Sequence, residues 1–174
     1  ADYLADTNNV ADAEQEQRFQ SVQSMFSMEV MRGTVKIHRQ FFRDAADSFQ
    51  PGSLDWVYLD AMHTYDAVLA DLQLFQSKIK EDGYFLCDDF TNNAVAQDLS
   101  FGVVEAVREF TETQNWHLIA MTNDMFPNCL LARDADSEST RKLIRKLIYD
   151  IPNIVKITDP WNYHHDHVSF AENR

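Results

Sequence analysis

Apolar and polar positions along the chain alternate with two periods, one near 3.6 and one near 2, and their order predicts an α/β domain. From about Asp12, Phe19, Val22, Met25 and Phe26 fall on one helical stripe, with Asp12 placed to cap its start and Arg32-Gly33 to stop it. Thr34-Val35-Lys36-Ile37-His38 alternates and is rich in β-branched residues, which predicts a short strand. Phe42 to Phe49 reads as a short helix ended by Pro51-Gly52.

The centre of the chain carries the clearest pattern. The apolar run Leu54-Asp55-Trp56-Val57-Tyr58-Leu59 ends on Asp60. A helical stretch from Asp66 to Lys80 follows, with Val68, Leu72, Phe75 and Ile79 on one stripe. Glu81-Asp82-Gly83 reads as a turn into a second apolar run, Tyr84-Phe85-Leu86-Cys87, that ends on Asp88-Asp89. In a right-handed strand–helix–strand unit the strands are parallel, so both acidic ends open on one edge of the sheet, where ligands of open α/β sheets bind. Asp60, Asp88 and Asp89, with His63 beside them, therefore form a candidate site for a hard divalent cation.

Asn92 to Ser100 is polar and predicts a loop over that edge. Gly102 to Thr113 predicts a helix with Val103, Ala106, Val107 and Phe110 inward. Trp116 to Met121 and Asn128 to Ala132, flanking a turn at Asn123 to Pro127, predict an antiparallel hairpin. Ser137 to Tyr149 predicts an amphipathic helix whose basic face, Arg141 to Lys146, is solvated surface. No repeat or linker interrupts the pattern, so residues 1–150 are expected to form one domain and 151–174 a C-terminal extension. In that extension the His164-His165-Asp166-His167 run is read as a solvated tail, and Trp161 and Tyr163 as a lid or a packing surface.

Charge narrows the partners. The chain has 28 acidic against 15 basic residues, a net charge of −13, which argues against nucleic acid and anionic membrane. No window approaches the roughly 18 to 20 apolar residues of a spanning helix. Cys87 and Cys129 follow no metal or redox spacing and are expected as free buried thiols, which suits a reducing, cytoplasmic setting.

Ser53 to Tyr65 with its D-A-x-H-x-Y segment, the Gly83-to-Asp89 strand end and the helix from Gly102 to Phe110 together resemble the second half of a class I S-adenosylmethionine-dependent methyltransferase. The similarity spans roughly residues 34–133 and is strongest to the divalent-metal-dependent O-methyltransferases. It implies a Rossmann-like α/β sheet in the order 3-2-1-4-5-7-6, mostly parallel with a C-terminal antiparallel hairpin. It also implies S-adenosylmethionine and a divalent metal, Mg²⁺ in the first instance, as cofactors, and a small hydroxylated molecule as substrate. Carried over by position, Asp60, Asp88 and Asp89 become metal ligands and His63 the general base. Asp60 also faces the cofactor, and Gln40 and Phe41 fall in the region of its adenine edge.

The chain departs from that family in having four glycines, none clustered, and nothing before Thr34 that reads as the first two strands. Either the sequence begins after the family's second strand, or the domain does not bind the cofactor and serves as a non-catalytic binding or assembly module. A metal-dependent hydrolase using the same carboxylates is a further alternative, and a homo-oligomer is left open.

Overall fold

The computed structural model describes residues 11–162, so residues 1–10 and the Tyr163-to-His167 run lie outside the described part. The chain forms two compact units, Ala1–Ser48 and Phe49–Arg174.

The first unit is helical where described. Helices α1 (Asp12–Met25) and α2 (Ser27–Met31) follow one another, and α3 covers Phe42–Ala46. Ala11, not Asp12, stands at the cap of α1 without a side-chain bond; Asp12 is the first helical residue, where its charge still complements the helix dipole. The predicted apolar stripe is present but none of its residues is buried, and Met25 is 73% exposed. Gly33 adopts φ +73° just past α2, a left-handed position that suits glycine at a helix end. Residues 34–38, predicted as a strand, form none. A strand exists only as half of a ladder, and the Thr34 and Val35 amides are instead turned back onto the Glu29 carbonyl at 3.0 and 3.2 Å.

The second unit holds the sheet. Its strands are β1 (Leu54–Leu59), β2 (Ile79–Cys87), β3 (His117–Met121) and β4 (Cys129–Ala132), in the order β1-β2-β4-β3. β1 and β2 pair in parallel, while β4 is antiparallel to both of its neighbours. Three strands thus share one direction and β4 alone opposes it, the order that the resemblance implies for its last four strands. Between them run α4 (Tyr65–Phe75), α5 (Ala94–Asp98) and α6 (Val103–Thr113), and α7 (Glu138–Asp150) follows β4.

Two boundaries differ from the periodicity. Helix α4 stops at Phe75, and Ile79, expected on its buried stripe, instead opens β2 opposite Leu54 with its side chain buried. Glu81-Asp82-Gly83 is consequently not a turn between helix and strand but an irregular stretch within β2, where the register jumps between Leu54 and Trp56. Gly83 permits this because a Cβ there would lie 2.5 Å from both the Asp55 carbonyl and the Ile79 side chain. The polar stretch 92–100, expected as a loop, contains α5, which the Asn93 carboxamide caps by accepting from the Ala96 amide at 2.9 Å.

The core is aromatic. Phe85, Phe110 and Trp116 pack mutually with ring centroids 4.8 to 5.9 Å apart, and all three are almost wholly buried. The Arg133 guanidinium covers Trp116 at 5.1 Å and donates to the Gln76 carbonyl at the end of α4. Cys87 and Cys129 stand opposite each other across β2 and β4, free and buried. Burial, helped by a hydrogen bond with Cys87, pushes the Cys129 thiol well above the ordinary range. No helix among the described residues is long and apolar enough to cross a membrane.

At Gly102, the N-cap of α6, a Cβ would stand 2.6 Å from the Tyr65 backbone nitrogen at the start of α4. Gly102→Ala is expected to destabilise the fold by about 1–3 kcal/mol, read as a lower midpoint in urea. An unchanged midpoint would show that the α4–α6 contact relaxes freely. Neither thiol should react with an aromatic disulfide reagent in the native protein at pH 8, and both should react once it is unfolded.

Candidate functional site

The parallel ladder continues one step past β1, where the Asp88 amide donates to the Leu59 carbonyl at 2.9 Å. That bond sets the backbone of Asp88 beside the end of β1, so Asp60 and Asp88 emerge next to each other. Asp89 then turns back with φ +55°, a left-handed conformation uncommon for a residue with a side chain. The Phe90 amide donates to the Pro127 carbonyl at 2.7 Å, and the Asn93 carboxamide to the Met125 carbonyl at 2.9 Å. The segment after β2 is thereby held against the loop between β3 and β4.

His63 is positioned from the other side. Its carbonyl accepts from the Gly102 amide at 2.8 Å, which ties the turn after β1 to the start of α6. Its ring lies over Phe101, with centroids 4.9 Å apart and planes inclined by 32°. This leaves the imidazole Nε2 3.6 Å from Asp60 Oδ1 and 3.5 Å from Asp89 Oδ2, distances too long for hydrogen bonds. The His63 side chain is only 10% exposed, and among the described residues its Nε2 is the buried side-chain polar atom without a hydrogen-bond partner.

Asp60, His63 and Asp88 each offer one ligand atom, and the three atoms lie within 4.8 Å of one another. Asp60 faces solvent, with 52% of its side chain exposed, whereas Asp89 is 17% exposed. Burial raises the Asp89 carboxyl above its ordinary range; the His63 imidazole pulls it down, and Asp88, Asp60 and Asp124 push it up again. A small cavity of about 10 Å³ lies beneath, lined among others by His63, Asp71, Cys87 and Asp88, which is close to the room one water needs.

Two contributors carry no signal in the sequence pattern. Tyr58 appears there only as an apolar strand position, yet burial and the nearby Asp88 charge push its phenol up to about 12. Asp124 acts on Asp89 from the β3–β4 loop, which no spacing along the chain connects to the site. Tyr65, read as packing, donates its hydroxyl to Glu109 of α6, which raises the phenol above its ordinary range. Trp161 meets Phe90, next in the chain to Asp89, edge-on with centroids 6.1 Å apart. Gln40 and Phe41 belong to the first unit, where Phe41 is the N-cap residue of α3.

No glycine-rich loop follows a strand among the described residues. Gly83 and Gly102 are occupied by close packing, and Gly33 and Gly52 sit at positive-φ turns with open space where a Cβ would stand. No curated protein matches the chain, and no solved structure does. A family model described as a methyltransferase domain matches residues 3–90, from before α1 to just past the two adjacent aspartates. With half of its length matched, including both acidic strand ends, the chain belongs to the methyltransferase-domain family.

Proposed function

We propose that this chain is an S-adenosylmethionine-dependent, divalent-cation-dependent O-methyltransferase acting on a small hydroxylated molecule. The observation that carries the reading is the convergence of Asp60, His63 and Asp88 at one end of two parallel strands in a methyltransferase-family chain. Moving a methyl group from a sulfonium to a hydroxyl requires the oxygen to lose its proton and to face the sulfur–carbon bond in line. A bound divalent cation would lower the pKa of a hydroxyl it holds and fix its direction.

The residues fit such an ion. Carboxylate oxygens are the ligands a divalent cation takes, and a buried imidazole nitrogen with no hydrogen bond lies within 3.6 Å of two of them. Tyr58 lies beside the Asp88 charge, and Phe101 packs against the imidazole. The described residues do not fit the methyl donor in the same way, since none of the four glycines forms a loop that lets backbone approach the donor's ribose or methionine part. Gln40, Phe41 and Asp60 therefore stand as donor contacts on the resemblance alone, and no step is assigned to them. The net charge of −13 supports a neutral or cationic acceptor over a polyanion.

Calorimetric titration of S-adenosylmethionine into the protein, with and without divalent cation, tests the reading. Micromolar binding, with S-adenosylhomocysteine released when small vicinal diols are added, is the expected result; no binding in either condition would overturn it. Asp60→Ala and Asp89→Ala are each expected to weaken cation binding without unfolding the protein, judged by titration and circular dichroism. In chelator, Asp60→Asn should raise the melting temperature by about 2 °C by removing one of several like charges, and it should lose the rise that added cation gives the wild type.

A further inference from the structure

The resemblance to the O-methyltransferases places a general base at His63 and magnesium beside it. The geometry points to a different assignment: we propose that His63 Nε2 is itself a ligand, making a mixed nitrogen–oxygen site that takes a zinc- or cobalt-class cation in preference to Mg²⁺. This rests on the reading that the cluster holds a cation.

A base must meet the proton of an incoming substrate. The Nε2 is instead enclosed, within a side chain 10% exposed, 3.6 Å from Asp60 Oδ1 and 3.5 Å from Asp89 Oδ2. Leaving a buried imidazole nitrogen without a partner is unfavourable, so something that it can bind belongs there. Asp60, His63 and Asp88 each bring one ligand atom within 4.8 Å of the others, close enough for one ion to draw them together. Ligand chemistry agrees, because imidazole suits late divalent transition ions whereas Mg²⁺ selects oxygen.

The ring is also restrained: the Gly102 amide bond to the His63 carbonyl fixes the backbone, and the ring packs against Phe101.

The test uses the full chain stripped with chelator and titrated with Co²⁺, whose visible d–d absorption reports nitrogen ligation and coordination number. The expected result is an intense band at one equivalent, displaced by equimolar Zn²⁺ and not by a large excess of Mg²⁺. His63→Ala and the bulkier His63→Gln should each weaken Co²⁺ binding by roughly 100-fold and collapse the band, with Mg²⁺ affinity unchanged. Melting curves in chelator identify any variant that fails to fold, and Asp60→Asn serves as a second ligand variant in that event. Displacement by comparable Mg²⁺, or an unaltered Co²⁺ spectrum in both His63 variants, would overturn the assignment while leaving an oxygen-only cation site in place. Failure of S-adenosylmethionine to bind the cobalt-loaded protein would overturn methyl transfer and leave the ligand assignment standing. No Co²⁺, Zn²⁺ or Mg²⁺ binding at all would overturn both.

Discussion

Parallel pairing of β1 with β2 is the constraint on which the site depends. Parallel strands bring like ends together, so a residue just past one strand and a residue just past the other meet without any long loop. The Asp88 amide bond to the Leu59 carbonyl is the last step of that pairing, and it places two carboxylates side by side before either finds another partner. The remaining parts converge on this pair. Gly102 lets α6 start against α4 and holds the His63 carbonyl, while the loop between β3 and β4 receives the Phe90 amide and brings Asp124 close.

Collecting negative charge in one place costs stability, and the protein meets that cost at Asp89. A carboxyl whose folded pKa is raised is least costly when protonated. The cluster therefore subtracts from stability as pH rises through the raised Asp89 value, unless positive charge is present. Tyr58 responds in the same sense: its phenol is held neutral by burial and by the Asp88 charge. Such local conflict, surrounded by a well-packed aromatic core of Phe85, Phe110 and Trp116, is characteristic of a site kept for function.

Much of the second unit was legible because its signals are local. The apolar stripe of α6, the apolar runs of β3 and β4 on either side of a turn, and the acids at the ends of β1 and β2 are all read from neighbours a few residues apart. The sheet order needed the resemblance, since periodicity says nothing about which strand lies beside which. The errors share one cause, tertiary contact overriding local pattern. Ile79 continues the helical stripe of Val68, Leu72 and Phe75, yet pairing with Leu54 claims it for β2. Residues 34–38 have the composition of a strand and find no ladder among the described residues. At the site, Asp60, His63 and Asp88 were visible as chemistry, whereas Tyr58 was hidden by its place in an apolar run.

The left-handed turn at Asp89 acts as a filter on what can evolve there. At φ +55° most side chains meet their own backbone, and glycine, asparagine and aspartate are the residues that adopt it most readily. One of these has no side chain, and the other two end in an oxygen. Backbone shape alone thus tilts the choice at this position toward an oxygen-bearing side chain or none, before any ligand exerts its own selection.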